Sequence, residues 1–232
     1  MRHETTIVPG APPPHQPIYY EEISKHLETF LGPVTEVYHE TVSEYAHIDV
    51  LHFPPRAMRN HWTFVTCGMS DLPMAVPAGF PNPSGRARAE LTISLPANWF
   101  DGFGTADPTM LDRGGRWWPI GLLKYAALVP CVYKTWLWVG HTMALAEPPQ
   151  PFDANTQFCA FMTWPPLRWP EQAISMVAQD RQTINFLAVF PLYQDELDFK
   201  LNADHEVFLD LLKAARISEL LDPYRSSIVS RN

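Results

Sequence analysis

The alternation of apolar and polar positions predicts a chain of short strands bounded by helices at both ends. Apolar residues recur at helical spacing over residues 20–31, where a Gly-Pro pair then ends the helix. Runs rich in β-branched and aromatic residues, bounded by Gly and Pro, predict strands. These runs span residues 45–53, 62–67, 90–95, 136–139, 156–164 and 184–190. Because the run 90–95 alternates between apolar and polar residues, we expect one of its faces to contact water.

The same periodicity predicts three more helices. Pro119 begins an apolar helix that Pro130 ends, and Asp204 is placed to cap the last helix of the chain. The run 184–190 is almost continuously apolar, which is typical of a central strand. Since the strands come in runs and do not alternate regularly with helices, the pattern predicts an α+β fold. We expect a mixed, mainly antiparallel central sheet with helices packed at its ends and on one face.

The chain of 232 residues is long enough for one sizeable core, and no interior segment has the composition of a linker. We therefore expect a single α+β domain over residues 18–222. Residues 1–17 are rich in proline and predict a flexible tail, and residues 223–232 predict a C-terminal tail.

Charge and cysteine usage narrow the class of protein. The net charge is −8, and the segments 21–44 and 195–222 each carry −5, so the basic surface that nucleic-acid binding requires is missing. The longest apolar stretch, 120–140, contains two lysines and a proline, which argues against a membrane span. Three cysteines without a CxxC pair, and no signal peptide at the start of the chain, predict a cytoplasmic location.

The block from Thr66 to Asp71 is the sharpest local feature. It allows two interpretations. Cys67 or Ser70 could act as a nucleophile with a distant histidine such as His141, which would make the protein a cysteine or serine hydrolase. Alternatively, Cys67 packs as a small hydrophobic residue and Gly68 supplies a backbone angle that other residues avoid. We favour the structural interpretation, because a lone cysteine without a local signature is weak evidence for catalysis.

The segment His47-Ile48-Asp49-Val50-Leu51-His52 raises the question of a metal site. On a strand His47 and Asp49 share one face while His52 points to the other, so three ligands cannot converge from this strand alone. We therefore predict neither a metal nor a cofactor. Asp49 is expected to accept hydrogen bonds from a nearby loop, and a catalytic role is the alternative.

The ordered motifs resemble those of the suppressor of fused family. The resemblance spans residues 19–215, and its strongest element is the Thr66–Asp71 block. The matching pieces are His47-Ile48-Asp49-Val50, Phe53-Pro54-Pro55, Thr66-Cys67-Gly68-Met69-Ser70-Asp71, Ala89-Glu90-Leu91, Trp118-Pro119-Ile120, Gly140-His141-Thr142, Ile184-Asn185-Phe186-Leu187 and Pro191-Leu192-Tyr193.

The resemblance implies a protein without enzymatic activity that regulates other proteins by binding them. The animal member of the family inhibits Hedgehog signalling and clamps an extended peptide between two domains by strand addition. This chain resembles the N-terminal domain alone, as in stand-alone bacterial members, which are thought to be immunity proteins that neutralise toxins. A regulatory scaffold that binds an extended peptide is a further alternative.

The resemblance and the composition together point to the residues that contact a partner. Carried over from the family, the peptide-contacting region corresponds to Tyr125, His141 and Trp164. Trp138 is added because tryptophans are common interface anchors. If the acidic segments form one face, Glu196 and Asp198 are expected to steer a basic toxin toward the protein. The alternative, which the sequence favours, is that the acidic helices only keep the protein soluble.

Overall fold

A computed structural model describes residues 16–40, 45–101, 115–203 and 205–229, and in this part of the chain eight strands form one sheet covered by four α-helices. The helices are α1 (Tyr20–Leu31), α2 (Trp118–Tyr133), α3 (Gln194–Asn202) and α4 (His205–Ala214). The strands are β1 (Glu36–Tyr38), β2 (Asp49–Phe53), β3 (His61–Cys67), β4 (Ala89–Pro96), β5 (Thr142–Ala144), β6 (Ala160–Trp164), β7 (Ser175–Val177) and β8 (Thr183–Leu192).

The sheet joins two halves of the chain through one parallel pair. Its order is β1-β2-β3-β4-β8-β6-β5, and β7 pairs with the beginning of β8. Only β4 and β8 run parallel among the described strands, and all other neighbours are antiparallel. The predicted α+β class, the mainly antiparallel sheet and the central position of β8 are therefore confirmed.

The helices cover both faces of the sheet. Alternate residues of each strand point to opposite faces. One face packs against α2 through a cluster that includes Val50, Phe64, Leu91, Ile93, Ile120, Leu123, Phe161, Leu187 and Val189. On the other face, α1 packs over Leu51, Phe53, Val65 and Phe186, whereas α3 and α4 pack over Ala160, Met162, Ala188 and Phe190. The two acidic segments thus contribute helices to the same face.

The predicted first helix is confirmed, and its sequence explains both its packing and its end. Ile23, Leu27 and Leu31 follow one another at four-residue spacing and are buried against the sheet. Gly32 ends α1 with φ +85°, a conformation that favours glycine, and its N–H group donates to the Glu28 carbonyl oxygen. The Glu28 carboxylate then accepts the N–H of Val34 at 2.9 Å.

The expectation of a wet face on β4 is wrong. Glu90, Thr92 and Ser94 are completely buried, because each has hydrogen-bond partners inside the protein. The Thr92 hydroxyl group donates to the Phe64 carbonyl oxygen, and the backbone of Ser94 pairs with residues 219–221. The Glu90 carboxylate accepts hydrogen bonds from the Thr66–Asp71 block.

Other boundaries also differ from the sequence prediction. Residues 136–139 form a loop, and α2 continues three residues beyond Pro130. Asp204, the predicted cap, and positions 1–15 of the predicted N-terminal tail lie outside the described residues. The segment 223–229, expected to be a tail, packs onto α3, where Ile228 is buried. Within the described residues, none of the helices combines the length and apolar character needed to cross a membrane.

Candidate protein-binding site

The Thr66–Asp71 block is built around the buried carboxylate of Glu90. Its Oε1 accepts the N–H groups of Gly68 (3.0 Å) and Ser70 (2.9 Å) and the Ser70 hydroxyl group (2.6 Å). Its Oε2 accepts the Thr66 hydroxyl group at 2.6 Å. Burial raises the pKa of the Glu90 carboxyl group, and the four hydrogen bonds counteract that effect. The block is therefore a structural unit whose polar groups are satisfied internally.

Two further contacts fix this block in place. Gly68 has φ +120°, and a Cβ atom at this position would lie 2.0 Å from the His47 carbonyl oxygen, so no other residue fits. The Asp71 carboxylate accepts the N–H of Ile18 at 2.9 and 3.1 Å, which ties the entry of α1 to the block. Asp71 thus has a structural partner of its own.

The hydrolase constellation is not assembled. The Cys67 side chain is buried in the core beneath α1, and burial raises the pKa of its thiol well above the ordinary value, which disfavours the reactive thiolate. The hydroxyl group of Ser70 is committed to Glu90. His141 lies beside β5, four strands away from β3 in the sheet, which corresponds to about 19 Å.

The free edge of β5 is the most accessible backbone pairing surface near the predicted residues. β5 pairs with β6 on one side, and within the described ranges no strand pairs with its other side. The N–H of Thr163 donates to the His141 carbonyl oxygen at 2.9 Å, so the carbonyl group of His141 faces β6. In an antiparallel pair, the backbone groups of successive residues point alternately toward the paired strand and away from it. Thr142 and Ala144 therefore direct their N–H and C=O groups away from β6, to the free edge.

Two of the predicted partner residues, His141 and Trp138, meet beside this edge, whereas the Trp164 side chain packs on the opposite face of the sheet with the cluster of α3 and α4. The His141 N–H donates to the Trp138 carbonyl oxygen, and Trp164 is the last residue of β6, next to Thr163. The His141 ring packs edge-on against Trp136, with 4.6 Å between ring centroids. Burial lowers the pKa of His141, and the positive charge of the nearby Lys200 lowers it further. The imidazole is therefore neutral at physiological pH.

A neighbouring loop supports the aromatic residues. The Arg86 guanidinium group lies over the rings of Phe80 and Trp138, at 5.1 and 5.3 Å from their centroids. Phe80 also contacts Trp136 at 4.6 Å. These contacts hold half-buried aromatic rings beside an unpaired strand edge, which is the arrangement that suits an extended peptide.

Two predicted residues lie apart from this edge. Tyr125 is 39% exposed on α2 and is hydrogen-bonded to Tyr133, an interaction that raises the pKa of Tyr125. Asp198 is exposed on α3, where its carboxylate accepts a hydrogen bond from Gln194 at 2.9 Å.

The assignment of Glu196 to a partner-binding surface requires correction. Its side chain is completely buried and forms an ion pair with Arg225 through both carboxylate oxygens. It also accepts the N–H groups of Tyr193 (3.0 Å) and Ile228 (2.9 Å). Glu196 therefore holds α3 to the C-terminal segment and presents no charge to a partner.

A cluster that the sequence argument missed surrounds Asp49. His52 points to the opposite face, as the alternation predicts, and its ring stacks with Trp62 and Phe64. The third ligand candidate is instead His39, which follows β1. Since Tyr38 pairs with Val50, the same register places His39 opposite Asp49. Potential ligand atoms of His39, His47 and Asp49 all lie within 4.8 Å of one another.

Comparison with known proteins establishes the family. The model of the family described as Suppressor of fused protein matches residues 44–226, which is more than half of the chain. None of the curated proteins matches the sequence.

Solved structures show the same fold at low sequence identity. A suppressor of fused homologue from Neisseria gonorrhoeae FA 1090 has a TM-score of 0.63 and 19% identity, and the match covers 90% of this chain and 96% of that one. A chain of the Sufu–Fu complex gives 0.61 and 15%, with 95% and 94% covered. Drosophila Suppressor of Fused gives 0.52 and 16%, and the match covers 79% of this chain and 43% of that one. The chain belongs to the suppressor of fused family.

Proposed function

We propose that this protein binds another protein and inhibits it, as an immunity-type protein that neutralises a toxin. The family consists of regulatory proteins that act through protein interaction. The observation that carries the proposal is the free edge of β5, flanked by the aromatic residues around His141. An extended segment of the partner adds to β5 as a further strand, so backbone hydrogen bonds supply affinity and the aromatic side chains supply specificity.

The structure favours binding over hydrolysis for a geometric reason. The residues that could form a nucleophile and base are buried, separated, or already hydrogen-bonded, whereas the β5 edge offers backbone groups that need partners. Half-buried tryptophans beside such an edge are the residue type that dominates binding energy in protein interfaces.

Replacing Ala144 by proline is expected to abolish partner binding. Proline removes the N–H group that we assign to the free edge, while the pairing of β5 with β6 uses the carbonyl group of His141 and the backbone groups of Met143. Ala144→Val is the matched control, since it keeps the N–H group. Proteins retained from the host by the wild type and the Val variant, but not by the Pro variant, should be identified by mass spectrometry. Equal retention by both variants, each folded by circular dichroism, would exclude strand addition at β5.

The acidic helices are proposed to steer a basic partner. α1, α3 and α4 lie on the same face of the sheet, and the chain has a net charge of −8. Opposite charge raises association rates more than it raises affinity. Asp198 is the position to test, because it is exposed whereas Glu196 is buried.

Charge reversal at Asp198 and removal of Trp164 are expected to affect different rate constants. Asp198→Lys should slow association with the identified partner several-fold at low salt and weaken its salt dependence, with dissociation unchanged. Trp164→Ala should speed dissociation and leave association within about threefold. Stopped-flow or surface plasmon resonance at two salt concentrations measures both. An association rate that is insensitive to salt in the wild type would rule out steering.

A further inference from the structure

The carboxylate of Asp49 is buried, and among the described residues it forms no salt bridge with a lysine or an arginine. Its side chain is 1% exposed. Its ion-pair contacts among the described residues are with two histidines, His39 at 2.9 Å (Nδ1 to Oδ2) and His47 at 2.8 Å (Nε2 to Oδ1). Lys124 pairs with Glu40 at 3.9 Å and also interacts electrostatically with Asp49. A buried carboxylate must be paired or must coordinate a metal.

The His47 contact is close but is not a hydrogen bond. Only 2.8 Å separates Nε2 from the Asp49 oxygen, yet the ring N–H direction misses that oxygen. Nε2 is also inaccessible to solvent and has no other hydrogen-bond partner in the described part of the chain. The atom is therefore a buried nitrogen that faces the Asp49 carboxylate without a hydrogen-bond partner among the described residues.

We propose that His39, His47 and Asp49 form a binding site for a divalent first-row transition metal ion. Two imidazole nitrogens and one carboxylate are the donor set that zinc and its neighbours prefer. Bonds of 2.0–2.1 Å in a tetrahedral site place ligand atoms about 3.3 Å apart. The three ligand atoms lie within 4.8 Å of one another, and the two histidines approach different oxygens of Asp49 at 2.9 and 2.8 Å. A shared ion therefore requires rearrangement of the ligands, which the 45% exposed His39 side chain allows.

The backbone around the site is already organised. The N–H of Glu40 donates to Asp49 Oδ1 at 3.1 Å, and the Glu40 carboxylate accepts the N–H of Ile48 at 2.8 Å. These bonds hold the end of β1 against the beginning of β2, and they fix the carboxylate that the two histidines approach. Hydrogen-bonded ligands of this kind are typical of metal sites. With three protein ligands, the fourth position is left for water on the side where His39 is exposed.

The test is a titration of tag-free, EDTA-treated protein with Zn²⁺ by calorimetry, with Co²⁺ absorption as a second readout of ligand geometry. The wild type is expected to bind one equivalent. His39→Ala, His47→Ala and Asp49→Asn should each weaken binding by at least about 10–100-fold, the cost of losing even an outer partner of a metal ligand. His26→Gln is the matched control, because His26 lies on α1 and contacts the Ala173 carbonyl oxygen instead.

Urea unfolding of each variant separates loss of the site from loss of the fold. His39→Ala is the decisive variant, since its exposed ring can be removed without opening the core. A stoichiometric site that disappears in His39→Ala but persists in His26→Gln supports the proposal. Absence of stoichiometric Zn²⁺ binding by the wild type, or equal binding by wild type and His39→Ala, overturns it and leaves the cluster as a histidine–carboxylate ion pair.

Discussion

Lowering the pH from 6.5 to about 4 is expected to remove several kcal/mol of the protein's stability, because His52 and His61 are buried in their neutral form. Burial lowers the pKa of each from 6.5 to about 4, and Arg59 and Arg168 add to the effect at His61. Although the Glu36 carboxylate lies 3.4 Å from His52, burial dominates. Between these pH values the unfolded chain binds protons that the folded protein does not bind, so the free energy of unfolding falls by roughly 3 kcal/mol for each histidine.

The double variant His52→Phe, His61→Leu isolates this contribution. A phenylalanine ring in place of the His52 imidazole can keep the stacking on Trp62 and Phe64, whose centroids lie 4.8 Å away, and leucine removes a buried nitrogen that lacks a partner in the described structure. Buried acids such as Glu90 and Glu219, whose pKa is raised by burial, act in the opposite direction. The measure is therefore the difference between wild type and variant in urea unfolding at pH 6.5 and pH 4. Equal losses in both proteins would contradict the prediction.

Removing the Arg225 side chain is expected to cost about 3–5 kcal/mol, because it leaves the buried Glu196 carboxylate without its counter-charge. Arg225 also donates to the Pro191 carbonyl oxygen at 2.9 Å and lies over the rings of Phe158 and Tyr193, at 4.9 and 4.8 Å from their centroids. The ion pair thus connects the end of β8, the start of α3 and the C-terminal segment. Arg225→Ala is therefore expected to weaken the packing of these three elements against one another.

Lys213→Ala is the matched control for the loss of one positive charge. Lys213 and its partner Asp210 are 76% and 74% exposed, and such a surface pair contributes less than about 1 kcal/mol. A double-mutant cycle with Glu196→Gln and Arg225→Met separates the pair from the packing of the Arg225 side chain. If Arg225→Ala and Lys213→Ala have the same urea midpoint, the buried pair does not stabilise the protein.

The elements that could be predicted are those whose regularly spaced or consecutive apolar residues are buried in the core. The helical spacing of Ile23, Leu27 and Leu31 predicts α1 correctly, and the apolar run 184–190 predicts the central strand β8. The alternation in β4 was misleading because its polar residues face an internal polar layer, where Glu90 binds the Thr66–Asp71 block. A period-2 pattern shows which residues are polar, but not whether their partners are water or protein.

The candidate sites show the same limit. His141 and Trp138 lie next to each other beside β5, whereas the Trp164 side chain packs on the opposite face of the sheet, and both placements depend on the strand order. His39 joins Asp49 only through the register of β1 against β2. A strand at 36–39 that pairs with 49–52 places His39 opposite Asp49, so a prediction of this pairing would indicate the cluster.

The parallel pairing of β4 with β8 determines when the sheet can be completed as the chain emerges from the ribosome. Ala89 pairs with Asn185, so the centre of the sheet requires contacts across roughly one hundred positions, a separation that slows folding. Until β8 is synthesised, β1 to β4 form an antiparallel unit whose last strand has an open, apolar edge. Such an edge can pair with other chains. We therefore expect the nascent chain to be most prone to aggregation while α2, β5, β6 and β7 are being made, before β8 pairs with the edge of β4.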